Sequence, residues 1–382
     1  MIITNLKLKN WKNFKSAEIA LSDTTYIIGP NAAGKSNLLD VFRFLRDIAK
    51  QEGGGLQKAV SDRGGLSKLR CLHARSDPRI SIDLSLVSPA GIKWHYHLEF
   101  RSEGKGAQRI FVSKEEVTKE DKVLLKRPDA DDRRDQTRLT QTHLEQILAN
   151  EPFRELANFL SETTYLHLVP QLLKFSQQIG GKILEDDPFG QGFLERVART
   201  SSRSRDSRLS KIEKVLQIAV PQFQELAFEK DEFSGRPHLR VRFEHFRPNA
   251  GWQREDQFSD GTLRLLALLW SLLDGDALLL LEEPELSLNS SIVAEIPAMM
   301  QKIQRTTKRR RQILISTHSE ALLSNPGINA AGVLVIMPSE NGSSVRGITN
   351  SEKNAILDGF SVAEVILPAS RSAAAKQLSL AL

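Results

Sequence analysis

The stretch Tyr26 to Leu39, Tyr-Ile-Ile-Gly-Pro-Asn-Ala-Ala-Gly-Lys-Ser-Asn-Leu-Leu, is compatible with few folds. Its apolar start reads as a buried strand, Gly29 to Gly34 as a tight loop, and Lys35 onward as the first turn of a helix. Gly29 to Ser36 satisfies the phosphate-binding spacing G-x-x-x-x-G-K-S throughout. Backbone N–H groups of such a loop turn inward and cradle phosphate oxygens. Lys35 then reaches the β- and γ-phosphates, and the Ser36 hydroxyl completes a Mg²⁺ shell. The helix that follows presents its positive end to the same anion. The stretch therefore predicts a nucleoside triphosphate site in an α/β fold.

Three bulk properties narrow the setting. The 382 residues suffice for two domains, or for one large domain with an insertion. A net charge of +6 leans toward an acidic partner such as nucleic acid, although an ordinary solvated surface also carries an excess of this size. The one cysteine, Cys71, excludes an internal disulfide and a Cys-rich metal site, so a reducing cytoplasm is expected. Met1 to Lys7 lacks a signal-peptide layout. The longest apolar run, Leu263 to Leu281, is interrupted by Asp274, Gly275 and Asp276, so no membrane span is expected.

Residues 2–28 predict three strands, with Leu6 and Leu8 alternating against Lys7 and Lys9. Leu38, Leu39, Val41, Phe42, Phe44, Leu45 and Ile48 fall at helical spacing, and Gly53-Gly54-Gly55 ends that helix. Alternation over Arg79 to Val87, Trp94 to Phe100 and Gln108 to Val112 predicts an antiparallel sheet beside the nucleotide. The mixed-charge segment Asp129 to Arg138 reads as a surface loop. Leu139 to Leu160, Pro170 to Leu184, Phe193 to Ala198 and Leu209 to Ile218 read as helices, Arg199 to Arg208 as an Arg/Ser-rich linker, and Phe223 to Phe246 as strands. The expected organisation is a nucleotide-binding domain built from residues 1–129 and 221–382, with a mostly helical insertion at 130–220.

The second half of the site lies downstream. Ser259 is a plausible N-cap for the apolar helix Leu265 to Leu273, and the free N–H groups at such a start can hold an anion. Ala277-Leu278-Leu279-Leu280-Leu281 reads as a fully buried parallel strand ending in Glu282 and Glu283. Ligands of open α/β sheets bind at such carboxyl ends. Successive strand residues face opposite ways, so one carboxylate can meet Mg²⁺ while its neighbour meets attacking water. Ile313 to Ser316 repeats the layout and leads into Thr317-His318-Ser319, with His318 either structural or in contact with the γ-phosphate. Lys308-Arg309-Arg310-Arg311 fits a solvated helix end better than a DNA contact.

In this order, these elements resemble the ABC-type ATPases of the RecF and SMC kind, and among them the OLD-like, AAA-labelled ATPases. The resemblance rests on Gly29 to Asn37 as G-P-N-x-x-G-K-S-N, Ser259 to Thr262 as the S-x-G-T signature, Glu282 to Glu285 as E-E-P-E, and Thr317 to Ser319 as the T-H-S switch. Leu6 to Phe14 is similar to the family's first hairpin, and Tyr165-Leu166 with Val169-Pro170, and Ser361 to Leu367, resemble its helical insert and C-terminal end. The resemblance implies an ABC-type P-loop fold, a mixed sheet plus an antiparallel β-subdomain, and two chains that sandwich two ATP·Mg²⁺. Gly29, Pro30, Asn31, Ala32, Ala33, Gly34, Lys35, Ser36 and Asn37 would bind nucleotide in one chain. Ser259 and Gly261 would touch the γ-phosphate held by the partner. Ser36 and Glu282 would hold Mg²⁺, Glu283 would polarise water, and His318 would sense the γ-phosphate. Catalysis would be mostly positioning, with Lys35 stabilising charge.

Some positions depart from the family pattern. Asp260 replaces the first glycine of the usual signature, and Asn289-Ser290 replaces a His-Pro after the Walker B strand. Arg63-Gly64-Gly65 lies where a metal-sensing glutamine is expected, with Gln57 as a candidate. A C-terminal nuclease module does not fit the residues after His318, among which Asp358 is the sole aspartate. These readings predict a homodimeric or higher-order ATPase switch on DNA, in anti-phage defence or DNA repair, with a separate effector or nuclease and no membrane association. The alternative is an ATP-gated scaffold that sequesters an effector without DNA.

Overall fold

Tyr26, Ile27 and Ile28 are all buried because their strand, β3 (Thr24–Ile28), runs through the middle of a sheet covered on both faces. The structure is a computed structural model, and it describes residues 1–74, 77–103, 109–175, 187, 189–245, 247, 251–306 and 311–370. The sheet joins β3 to β8 (Thr164–Leu166), β12 (Leu279–Glu282), β13 (Ile313–Thr317), β14 (Val333–Ser339) and β15 (Gly342–Gly347). The order is β15-β14-β3-β13-β12-β8, and all pairs are parallel except β14 with β15.

Strand alternation divides the core in two. Ile27, Leu280, Leu314 and Ile336 face one side, with the phosphate-loop helix α1 (Lys35–Ala49). Tyr26, Ile28, Leu279, Leu281, Ile313, Ile315 and Val335 face the other. The first side is closed by an antiparallel sheet of order β2-β1-β4-β5-β6-β7. Its strands are β1 (Ile2–Trp11), β2 (Phe14–Ala20), β4 (Ile80–Val87), β5 (Lys93–Ser102), β6 (Ile110–Lys119) and β7 (Lys122–Arg127). Phe44 of α1 packs between Trp11 and Phe100, with ring centroids 5.1 and 5.3 Å away. The buried side chain of Gln312, just before β13, bonds to both the N–H and the carbonyl of Ile3 and so ties the two sheets together.

Beyond α1, the short helices α2 (Leu56–Ser61) and α3 (Leu66–Leu69) flank the turn Arg63-Gly64-Gly65. Arg63 binds Asp40 and Asp47 of α1 and holds that turn against the helix. The segment 129–138 is less superficial than its charges suggest. It forms α4 (Ala130–Arg134), whose Asp132 is fully buried against Arg127. The other arm of Arg127 binds Glu115, also fully buried. Burial opposes ionisation of Asp132, but the Arg127 hydrogen bonds outweigh it and hold the carboxyl at about 2.

The helix expected over 139–160 is a correction. Only α5 (Arg154–Ser161) is α-helical there, preceded by single 3-10 turns at Gln136–Thr140 and Glu151–Phe153. The backbone N–H groups of His143 and Leu144 bond instead to the Glu115 carboxylate, and that of Thr142 to Glu145. The buried Glu115 carboxylate of β6 and the local side chain of Glu145 thus take up donors that an α-helix would have used. Next come β8, a strand where the resemblance implied a helical insert, and α6 (Pro170–Lys174). Residues 176–186 of the expected helix Pro170 to Leu184 lie outside the described residues. After α7 (Phe193–Arg199), the expected linker Arg199 to Arg208 proves mostly helical, within α8 (Ser202–Ala219). Two of its arginines have seats: Arg205 lies 4.0 Å from the Phe228 ring, and Arg208 stacks on Trp270 while pairing with Asp274.

A three-stranded sheet follows, β11-β10-β9, from β9 (Phe223–Lys230), β10 (Pro237–Phe243) and β11 (Trp252–Arg254). Phe246 of the expected strand region is outside the described residues. β6 runs on to Lys119, well past the expected Val112, and β7 was not foreseen; Gln108 is likewise outside the described residues. Helices α9 (Asp260–Leu273), α10 (Ser290–Thr306), α11 (Glu320–Leu323), α12 (Asn350–Leu357) and α13 (Val362–Ser370) complete the second side. Among the described residues no helix is long and apolar enough to cross a membrane.

Replacing Arg127 with Met strands two buried carboxylates, and the expected loss is about 3–5 kcal/mol of unfolding free energy by chemical denaturation. The share carried by Asp132 is complete above about pH 4 and disappears as the pH falls toward about 2, because its folded value lies below its unfolded one. An unchanged denaturation midpoint would contradict the assignment.

Candidate functional site

The loop 29–34 turns tightly enough to need special backbone. Gly34 has φ 109°, and a Cβ there would lie 2.0 Å from the Asn13 amide nitrogen. Gly29 passes so close to β14 that a Cβ would meet the Ile336 carbonyl at 2.5 Å. Ala32, at φ 63°, supplies a further left-handed residue, and Asn31 is exposed at the loop tip. Lys35 folds back on the loop, donating to the carbonyls of Gly29 at 2.9 Å and Pro30 at 3.3 Å. Burial pushes its ammonium below the ordinary lysine value, against the opposing pull of Glu283, Glu282 and Glu285.

The hairpin turn between β1 and β2 braces this loop. Asn13 Nδ2 donates to the Ala33 carbonyl at 2.8 Å and to Ser343 Oγ, and its Oδ1 accepts from the Asn37 amide at 2.9 Å. Ser343 Oγ, from β15, donates to the same Ala33 carbonyl. Trp11 Nε1 donates to the Asn37 carbonyl at 2.8 Å. Ser343 carried no sequence signal, because nothing in its neighbourhood marks a contact made across the whole chain.

Opposite the loop stands the end of β12. Ser36 Oγ donates to Glu282 Oε1, and Tyr165 OH donates to Glu282 Oε2. Glu283 leaves the strand in the left-handed region at φ 44°, a conformation costly for a side chain of this kind. Its N–H is held by the Ser316 carbonyl at 3.0 Å, and its Oε1 lies 3.2 Å from His318 Nδ1. Glu285 is the residue whose role the motif did not reveal. Buried beneath the turn, it accepts from Thr317 Oγ1 at 2.6 Å and from the His318 N–H, fixing the backbone that presents the histidine. Burial pushes its carboxyl above the usual range.

Ser259 Oγ accepts from the Thr262 N–H at 3.1 Å, capping α9 as its sequence implied. Gly261 rests on the loop after β12: a Cβ there would lie 2.7 Å from the Ser287 carbonyl. Among the described residues neither bonds to the loop 29–37. Asp260 does not face the anion site as a bare charge, because Lys174 Nζ and Gln171 Nε2 of α6 each bind it at 2.7 Å. The Lys174 hydrogen bond holds its carboxyl below the usual value. Asn289 is a local cap, its Oδ1 accepting from the Ser291 N–H and hydroxyl.

Two readings are corrected, Gln57 as a candidate sensor and Arg311 as part of a solvated helix end. The Gln57 amide is fully engaged by the backbone of Ile110 and Thr140, so it belongs to the antiparallel sheet and is not available as a metal sensor. Arg311 is buried and donates to the carbonyls of Ser271, Asp274 and Ala277, which makes it a structural arginine that closes the turn before β12. Lys308, Arg309 and Arg310 are outside the described residues.

The donors present suit a hard cation brought with a phosphate. Ser36 Oγ and Glu282 Oε1 are adjacent oxygens beside the loop, and Mg²⁺ is commonly held by one or two carboxylates plus substrate phosphates and water. Among the described residues there is no cluster of three or more His, Cys, Asp or Glu arranged to hold a metal by itself.

A family model described as "AAA domain, putative AbiEii toxin, Type IV TA system" matches residues 25–324, well over half of the chain and inclusive of the loop, both carboxylates and His318. The chain belongs to this family. Its fold is that of the ABC-type ATPases of the RecF and SMC kind. An SMC head bound to the C-winged helix domain of ScpA superposes with a TM-score of 0.60 at 14% identity, covering 92% of this chain and 100% of that one. An SMC head with an extended coiled coil, bound to a ScpA C-terminal domain derived from Pyrococcus furiosus, gives 0.58 at 13%, covering 94% and 98%. Over 46 residues the chain is 52% identical to the DNA replication and repair protein RecF of Chlamydia caviae and 48% identical to that of Chlamydia abortus. That segment is 12% of this chain and 12% of each relative.

Thr317→Val removes the donor to Glu285 and leaves a buried carboxylate short of a partner. The expected cost is about 1–3 kcal/mol in chemical denaturation. An unaltered midpoint would show that Glu285 does not depend on this contact.

Proposed function

We propose that this chain binds ATP with Mg²⁺ and hydrolyses it, using the ATP-bound state to close a homodimer that acts on DNA together with a separate effector or nuclease protein. One observation carries the reading: Lys35, Ser36, Glu282, Glu283 and His318, from segments far apart in sequence, converge at the carboxyl ends of the parallel strands β3, β12 and β13.

In this reading the backbone of Gly29 to Gly34 cradles the phosphates, and Lys35 exchanges its two loop carbonyls for phosphate oxygens. Asn37 holds the loop through Asn13. Ser36 and Glu282 would hold the Mg²⁺, which supplies charge stabilisation at the phosphates when bound. Glu283 orients the attacking water and accepts its proton, and His318, in contact with Glu283, senses the γ-phosphate. Ser259 and Gly261, free of the chain's own loop, serve the nucleotide held by a second copy. The residues 1–129 and 221–382 form the ATPase unit, and 130–220 lends it β8 while carrying further helical elements.

Support for DNA comes from the net charge of +6 and from RecF relatives whose name places them in DNA replication and repair. Support for a protein partner comes from SMC heads solved with ScpA domains. Defence against phage and DNA repair are the two settings that fit an ATPase with a separate effector.

Glu283→Gln is expected to lower phosphate release by about 10²–10⁴-fold while ATP binding persists. Unchanged release would remove Glu283 from the chemistry. In mobility-shift assays at stated salt, the same variant with ATP should retard DNA. Retardation of no DNA form would restrict the partner to protein.

A further inference from the structure

Glu282 is held from two directions, and only one of them belongs to the phosphate loop. Ser36 Oγ takes Oε1, while the phenol of Tyr165 takes Oε2. Tyr165 comes from β8, the outermost strand, where it pairs opposite Leu280, two residues before Glu282. The same segment also reaches the main chain, with His167 Nδ1 3.3 Å from the Glu282 carbonyl. The ring is almost fully buried, and the Arg43 guanidinium of α1 lies over it at 4.2 Å from the centroid. Arg43 stands two helical turns along α1 from Ser36, so the phosphate-loop helix grips the tyrosine whose hydroxyl grips the carboxylate.

A phenylalanine would fill this apolar seat equally well. The hydroxyl is the part that packing does not require, and its sole described hydrogen bond is to Glu282. Facing an ionised carboxylate, which can only accept, the phenol is the donor in this contact.

We propose that Tyr165 is the positioning residue for the Mg²⁺-binding carboxylate: by tying down Oε2 it fixes the rotamer that presents Oε1 beside Ser36. This inference rests on the ATP·Mg²⁺ reading above and adds to it a residue outside the nucleotide-site motifs. Groups that orient a metal ligand through its far atom commonly change metal affinity by about 10–100-fold when removed.

The test is a Mg²⁺ titration of the full chain with a non-hydrolysable ATP analogue, followed by calorimetry and by thermal shift, for wild type, Tyr165→Phe and Ser36→Ala. The expected result for Tyr165→Phe is a Mg²⁺ half-saturation raised about 10-fold, with metal-free analogue binding and the metal-free melting temperature held near wild type. A merely structural tyrosine would move the melting temperature and leave the metal dependence alone. If Ser36→Ala shifts the half-saturation and Tyr165→Phe does not, the proposal is overturned while the reading beneath it stands. If neither variant shifts it, the metal reading itself fails and the proposal goes with it. Should Tyr165→Phe not fold, Arg43→Leu, which loosens the ring without touching the hydroxyl, is expected to raise the half-saturation in the same direction; no change there would overturn the proposal.

Discussion

The site depends on a parallel sheet that is apolar on both faces. Ile27, Leu280 and Leu314 serve one core while Ile28, Leu281 and Ile315 serve the other, which leaves no face of the sheet for polar chemistry. Polar and charged groups can gather only where the strands end, and there Ser36 meets Glu282, His318 meets Glu283 and Thr317 meets Glu285. Register does the alignment: Glu282 is paired with Ser316, and Thr317 with Ile28, so three strands finish together at the phosphate loop. A shift of one residue would turn each carboxylate into the core.

Around that edge the supports are drawn from distant parts of the chain. The β1–β2 turn, through Asn13, and the β14–β15 hairpin, through Ser343, clamp the loop from outside. Glu285 holds the switch turn from beneath, and β8 approaches Glu282 from the far edge. The signature region carries Asp260 in place of a glycine, yet the departure is compensated. The charge of Asp260 is absorbed by Lys174 and Gln171, which ties the start of α9 to α6. Any anion approaching Ser259 thus meets a neutralised pair in place of a free carboxylate.

The elements that could be read from the residues were those with strong local signals. The loop spacing, the apolar run before Glu282 and the period of α1 each reflect a constraint contained within a few neighbours. Where the readings failed, the deciding contacts came from elsewhere. His143 and Leu144 looked helical, but the Glu115 carboxylate of β6 captured their N–H groups. Ser202 to Arg208 looked like a linker because its composition is polar, and the aromatic seats of Arg205 and Arg208 lie on other elements. Thr164–Leu166 is a strand of three residues, too short for any period to declare, and it exists because β12 offers an open edge. The roles of Ser36, Glu282 and Glu283 could be argued from motif chemistry; those of Ser343, Glu285 and Tyr165 needed the fold.

The central claim is that the two ends of the chain enclose a magnesium-bound triphosphate which a second copy then caps. Sedimentation of the Glu283→Gln chain with ATP and Mg²⁺ measures it directly, with bound nucleotide counted in the same sample. The account predicts conversion from monomer to dimer as ATP is added, with equal numbers of chains and nucleotides in the dimer, and no conversion for Lys35→Ala. A chain that stays monomeric while saturated with ATP, or that takes up no ATP, would contradict it.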